Sequence, residues 1–217
     1  MKKLLDGIAE FQRTTRPSYR EKFAKLALGQ SPDCLFFACS DSRVVPNLFA
    51  STEPGDLFVV RNVGNLVPPC GSTGLSTTDR SEGAAVEFAL QVLGVRDIVV
   101  CGHSDCGAMR SLLSEDKHER APNLREWLDV AQSSLRRLHS NPIDTSLSLH
   151  NQLSQVNVLQ QVANLQTYPE VAERVAAGKL RLNAWWFDLG RAEVLSFFED
   201  RGRFEPLVGS ADPAAAT

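Results

Sequence analysis

The chain has 217 residues, 43% of them hydrophobic, with a formal net charge of −3 and a pI near 5.8. This length and composition suffice for a full hydrophobic core, so we predict a single domain over residues 1–217. The mildly acidic balance argues against nucleic-acid binding, and no apolar run approaches the roughly 18 residues that span a bilayer.

Residues 1–30 are predicted to form an N-terminal helical arm. Its apolar stripe recurs at helical spacing and consists of Leu4, Leu5, Ile8 and Phe11. Pro17 is expected to break the helix, which then resumes over residues 19–28. Asp6 and Glu10 interrupt the apolar core that a signal peptide would need, so we expect no secretion signal here.

Short apolar runs predict the strands of one sheet. Four strands are predicted to run parallel, at residues 34–39, 56–61, 98–102 and 180–188, and residues 191–198 are predicted to hairpin back as an antiparallel edge strand. Because helical patterns alternate with these runs, we predict an α/β fold with a mostly parallel central sheet flanked by helices.

The predicted helices lie between the strands, at residues 44–50, 79–93, 106–113, 124–138, 146–166 and 169–178. Asp79 and Glu82 suggest a capping box at the start of the second of these, and Gly94 a stop after it. The long loop at residues 65–78 is either functional or a solvated surface loop. The tail at residues 211–217 is predicted to be disordered.

Polar clusters follow the first and third of the predicted parallel strands. Cys39 ends the first, and His103 and Cys106 follow the third. Because ligands of open α/β sheets collect at the carboxyl ends of the strands, we expect these side chains to converge. Two thiolates and one imidazole are good zinc ligands, so the sequence predicts one zinc ion per chain.

Three protein ligands are typical of a catalytic zinc site, because structural sites are closed by a fourth side chain. The obvious fourth ligand is Asp41, and Arg43 can hold that carboxylate off the metal with a two-pronged hydrogen bond. The free position would then admit water, as in a hydrolytic site. The alternative is that Asp41 and Arg43 form a surface turn pair of little energetic consequence.

The five cysteines are poor material for a disulfide framework, because their number is odd and most lie in strand-like contexts. Cys34 and Cys101 are interpreted as buried thiols and Cys70 as an exposed loop residue. Zinc thiolates persist in a reducing compartment, so we expect a cytoplasmic protein with no membrane partner.

Cys39-Ser-Asp-Ser-Arg43 and His103-Ser-Asp-Cys-Gly107 together resemble the β-class carbonic anhydrases. The resemblance extends through residues 53–62, 83–89 and 162–166 and covers most of residues 31–208. It implies a zinc enzyme that reversibly hydrates carbon dioxide to bicarbonate and a proton, assembled as a homodimer or homotetramer. In that family the N-terminal helices reach across to a second subunit; the alternative is an arm folded on its own sheet.

The resemblance also implies roles for single residues. Asp41 would orient the attacking hydroxide, Arg43 would keep Asp41 ionised and turned, and the Gly107 backbone N–H would receive the developing bicarbonate oxygen. Some relatives have a closed form in which the counterpart of Asp41 binds zinc, with bicarbonate in a pocket of Trp, Arg and Tyr. Here those positions are Phe36, Arg61 and Phe187, so we predict that Asp41 is not a metal ligand at alkaline pH.

Two alternative functions stay open at this stage. Relatives with the same ligands hydrolyse carbon disulfide or carbonyl sulfide, and a zinc-binding or thiol-redox protein without turnover would belong to another class.

The sequence indicates no residue as a proton shuttle. The histidines outside the site lie in polar stretches and are interpreted as surface residues, namely His118, His139 and His150. Asp105 is interpreted as a helix cap rather than a ligand.

Overall fold

The computed structural model describes residues 1–116 and 118–207. The tail for which disorder is predicted, residues 211–217, lies outside them. Among the described residues, no helix combines the length and the apolar character needed to cross a membrane.

The centre of the fold is a six-stranded sheet with the order β2-β1-β3-β4-β5-β6. Its strands are β1 Cys34–Cys39, β2 Leu57–Asn62, β3 Asp97–His103, β4 Arg181–Asp188, β5 Glu193–Phe198 and β6 Arg203–Pro206. Strands β1 to β4 pair in parallel, whereas β5 and β6 are antiparallel. The predicted α/β class, with a mostly parallel sheet and an antiparallel edge, is confirmed.

The outermost strand, β6, was not predicted from the sequence. It is four residues long and its sequence, Arg203 to Pro206, offers one buried apolar residue, Phe204. A charged strand that ends in Pro is typical of a sheet edge, where unpaired backbone groups must be kept from pairing with other chains. Its apolar signal was therefore too weak to indicate a strand.

Helices cover both faces of the sheet. They are α1 Lys2–Glu10, α2 Arg16–Leu26, α3 Pro46–Phe49, α4 Ser81–Glu87, α5 Gly107–Leu113, α6 Pro122–Asp129, α7 Gln132–Ser140, α8 Leu149–Leu165 and α9 Pro169–Ala176, with π-helical turns at Phe11–Thr15 and Phe88–Leu93. The prediction of one helix over residues 124–138 was wrong. The chain turns at Val130 and Ala131, and this change of direction lets α7 pack on α8.

The predicted capping box is also wrong. The Asp79 carboxylate accepts a hydrogen bond from the Ser81 backbone N–H at 2.7 Å, but Glu82 does not reach back to complete the box. Its carboxylate is buried and accepts a hydrogen bond from Asn62 Nδ2 at 3.0 Å. Burial raises the pKa of Glu82. The side chain therefore connects the helix to the end of β2.

Pro17 does not break the N-terminal arm. It lies in the first turn of α2, directly after a π-helical turn that joins α1 to α2, and the backbone stays helical through the junction. Neither helix buries a residue, and the apolar stripe stays exposed, with Leu4 at 65% and Ile8 at 55%. The described chain thus leaves this stripe uncovered rather than packing it on its own sheet.

Candidate metal centre

The carboxyl ends of β1 and β3 place three potential ligands together. Cys39 is the last residue of β1, His103 the last of β3, and Cys106 the N-cap of α5. All three side chains are buried, and one ligand atom from each lies within 4.8 Å of the others. The structure therefore brings together the three residues that the sequence spacing singled out.

The His103 ring is oriented by its neighbours. Its Nδ1 lies 2.8 Å from the Ser104 carbonyl oxygen, so this nitrogen carries the proton and donates it. Nε2 then bears the lone pair, and this buried atom has no hydrogen-bond partner among the described residues. The backbone is fixed as well, because Ser154 Oγ donates to the His103 carbonyl at 2.7 Å.

The two thiols differ in acidity because they contact each other. The pKa of Cys39 is lowered to about 4, chiefly by the hydrogen bond from the Cys106 thiol and also by the Gly64 backbone N–H. The pKa of Cys106 is raised, because it donates to Cys39 and is buried. The pair therefore holds a thiolate at neutral pH, and a cation would favour the loss of the second proton.

This donor set fits a zinc ion. Two sulfur atoms and one imidazole nitrogen are ligands that zinc prefers, and the unpartnered His103 Nε2 is a buried acceptor that a cation would satisfy. The residues that would hold the ion are Cys39, His103 and Cys106.

Asp41 faces the centre but is held by Arg43. The Arg43 Nε donates to Oδ1 at 2.9 Å and a terminal nitrogen to Oδ2 at 2.7 Å, while the Arg43 backbone N–H donates to Oδ1 at 3.0 Å. These bonds hold the pKa of Asp41 well below its usual range. Oδ2 lies 4.0 Å from His103 Nε2, so the carboxylate adjoins the cluster without joining it.

Arg61 supports the same loop. Its guanidinium donates to the carbonyl oxygens of Cys39, at 2.9 Å and 3.1 Å, and of Asp41, at 2.7 Å. The flanking aromatic positions form hydrocarbon packing, because Phe36 and Phe187 are buried and Phe187 stacks on Phe49 with ring centroids 4.7 Å apart. At these positions Arg61 is engaged with the backbone and the aromatic residues carry no polar tip.

Gly107 and Asp105 flank Cys106. Gly107 is the exposed first residue of α5, where backbone N–H groups have no partner within the helix. The expectation that Asp105 caps the helix is wrong, since Cys106 occupies the N-cap and the Asp105 carboxylate pairs with Arg110 and with His150 Nε2. His150 is therefore a half-buried hydrogen-bond partner of Asp105 rather than a solvated histidine.

Sequence reasoning missed the groups that support the ligands from outside. The Gly64 N–H lies 3.4 Å from Cys39 Sγ, and Ser154 holds the backbone of His103. One signal was available. Four polar residues recur at helical spacing along α8, between apolar ones, and the structure buries all four, namely Ser154, Asn157, Gln161 and Asn164. Such a stripe indicates a hydrogen-bonded network inside the protein.

Comparisons with known proteins agree with this geometry. A family model described as carbonic anhydrase matches residues 34–194. A carbonic anhydrase of Pseudomonas aeruginosa is 42% identical, over 90% of this chain and 87% of the relative, and one of Synechococcus elongatus is 41% identical, over 90% and 71%. The solved β-carbonic anhydrase CcaA superposes with a TM-score of 0.87 at 38% identity, covering 95% of this chain and 99% of that one. A tetrameric β-carbonic anhydrase of Sordaria macrospora gives a TM-score of 0.75 at 28% identity, over 95% of each chain.

Proposed function

Because the chain belongs to the β-class carbonic anhydrases, we propose that it catalyses the reversible hydration of carbon dioxide to bicarbonate and a proton with one zinc ion per chain. The observation that carries the zinc-dependent part is the fork between Arg43 and Asp41 beside three converging donors. A structural site would gain nothing from an arginine that withholds a fourth ligand. The fork therefore favours an open, reactive position.

Zinc held at this centre would supply a Lewis acid that makes hydroxide available near neutral pH. The protein groups around it orient the reactants. Asp41 stays ionised and accepts a hydrogen bond from the nucleophile, which aims a lone pair at the carbon of carbon dioxide. Arg43 fixes Asp41 by three hydrogen bonds, two from the guanidinium and one from the backbone N–H. The backbone N–H of Gly107 donates to the oxygen that becomes negative as bicarbonate forms.

We further propose the open form as the working state at alkaline pH. Its support is the engagement of Asp41 with Arg43, together with Phe36 and Phe187 at positions where a bicarbonate pocket would need polar aromatic tips. Asp41 would be a metal ligand only in a closed form.

The thiolate centre suits a reducing compartment, so we propose that the enzyme works in the cytoplasm.

Stopped-flow hydration of carbon dioxide tests the activity. The purified protein should lose activity when a chelator removes the metal, and stoichiometric zinc should restore it, with one ion per chain by elemental analysis. Carbonyl sulfide and carbon disulfide offered under the same conditions should give much lower kcat/KM. A zinc-loaded protein that is inert toward carbon dioxide would favour a binding or thiol-redox protein instead.

The exposed apolar stripe of the arm supports a homodimer or homotetramer, because a contiguous apolar face is rarely left open to water. The tetrameric Sordaria macrospora relative agrees with such an assembly. Analytical ultracentrifugation should find a mass of two or four chains, and a monomer at micromolar concentration would contradict the proposal.

A further inference from the structure

A short loop after β2 brings a backbone N–H to the metal centre. The Gly64 N–H lies 3.4 Å from Cys39 Sγ and points at it. Gly64 and its successor Asn65 both have left-handed backbones, with φ of +85° and +47°. A Cβ at Gly64 would come within 3.0 Å of the Ala108 Cβ on α5, so only glycine allows this approach.

The peptide group that carries this N–H is anchored at its other end. Its carbonyl belongs to Val63 and accepts a hydrogen bond from Trp127 Nε1 at 2.7 Å. One peptide plane therefore joins the indole of α6 to the sulfur of Cys39. A donor on the carbonyl polarises the peptide and strengthens its N–H as a donor.

The next peptide is anchored from α8. Asn157 Nδ2 donates to the Gly64 carbonyl at 3.1 Å, and this side chain is 1% exposed. Its Oδ1 accepts hydrogen bonds from Ser134 Oγ at 2.9 Å and Gln161 Nε2 at 2.8 Å, so the amide cannot turn away. Trp127 holds the peptide group before Gly64 and Asn157 holds the one after it, so both backbone dihedral angles of Gly64 are fixed.

We propose that Trp127 and Asn157 are positioning residues that hold the Gly64 N–H on the Cys39 sulfur and so tune the metal centre. An N–H directed at a thiolate withdraws electron density, and the thiolate then donates less to its cation. Because two thiolates offset the formal charge of a divalent ion, this bond preserves Lewis acidity that the sulfur ligands would otherwise reduce. The inference rests on the proposed metal centre.

Cobalt substitution tests the proposal without relying on turnover. The thiolate-to-cobalt charge-transfer absorption should move to longer wavelength in Trp127→Phe and in Asn157→Ala, since a thiolate without its donor gives up electrons more readily. Metal affinity, measured by chelator competition, should fall by about 10-fold to 100-fold. Trp127→Phe keeps the ring and removes the N–H, so it carries the test if Asn157→Ala does not fold.

Asn164→Ala is the matched control. Asn164 lies on the same helix and donates through Nδ2 to the Val67 carbonyl at 2.8 Å and to Gln161 Oε1 at 3.1 Å, but Val67 packs in a different hydrophobic cluster from Cys39. Its removal should lower stability and leave the absorption band in place. The proposal is overturned if both test variants keep the wild-type band, or if Asn164→Ala moves it equally. A wild-type protein that shows no thiolate band with cobalt would instead remove the metal centre itself.

Discussion

The two ends of the parallel sheet carry the same kinds of residue. At the amino ends of the strands, Cys34 begins β1 and Arg181 forms a two-pronged bond to Asp97, at 2.6 Å and 2.7 Å. At the carboxyl ends, Cys39 completes β1, with the fork between Arg43 and Asp41 beside it. Composition alone does not distinguish the two edges.

The two thiols nevertheless differ in acidity, in opposite directions. Burial, together with the charges of Asp97 and Asp33, raises the pKa of Cys34 to about 11. The pKa of Cys39 is lowered to about 4, because the Cys106 thiol and the Gly64 backbone N–H donate to it. Burial makes a thiol inert unless donors converge on it. Hydrogen-bond donors converge on Cys39 at the carboxyl edge, whereas burial and negative charges act on Cys34 at the amino edge.

The largest expected effect is the loss of zinc and activity on substitution of Cys39, compared with substitution of Cys34. Cys39→Ser removes a sulfur ligand, so zinc content should fall well below one per chain and kcat/KM for carbon dioxide hydration by more than about 100-fold, the upper range for loss of a residue that only supports a ligand. Elemental analysis and stopped-flow measurements check both.

Cys34→Ser is the control for that prediction. It buries a hydroxyl in the same strand, at a cost of about 1–3 kcal/mol of folding free energy, but should retain zinc and activity. Equal loss of zinc in the two variants would mean that strand integrity, not ligation, explains the first result.

The second comparison separates the two arginine forks. Arg43→Ala frees Asp41, whose Oδ2 lies 4.0 Å from His103 Nε2, to swing onto the metal. We expect kcat/KM to fall by about 10-fold to 100-fold, with the Asp41 carboxylate in place of water as the fourth ligand in a crystal structure of the zinc-loaded variant.

Arg181→Ala breaks a fork of similar geometry at the other edge. The Arg181 side chain is 75% exposed, so solvent screens this pair, and its loss should change stability little and activity not at all. Activity retained in Arg43→Ala, with zinc still bound by three protein ligands, would rule out the proposed role of the Asp41 fork.

The cluster of metal ligands could be predicted from sequence, because its signal lies in short stretches of the chain. Cys39, His103 and Cys106 lie where strands end, so strand prediction alone brings them near one another. Gly64 and Asn157 are different, because their contact joins residues 93 positions apart. The break at Val130 was missed for a similar reason: an apolar pattern indicates a helix but not the tertiary packing that redirects it.

The smallest effect concerns Cys34 and alkaline pH. An unfolded thiol ionises near about 8.5, whereas Cys34 in the fold has its pKa raised to about 11. The folded state therefore holds the proton to higher pH, and its stability falls as pH rises through this window, by up to about 1.4 kcal/mol per pH unit.

The Cys34→Ala variant has no thiol proton at this position. Urea unfolding of the zinc-loaded proteins should find the variant less stable near neutral pH, because it loses buried packing. The gap should narrow as pH rises above about 8.5. A gap that stays constant to pH 10 would show that this thiol ionises as readily in the fold as in the unfolded chain, and the contrast between the two edges would then lie in ligation alone.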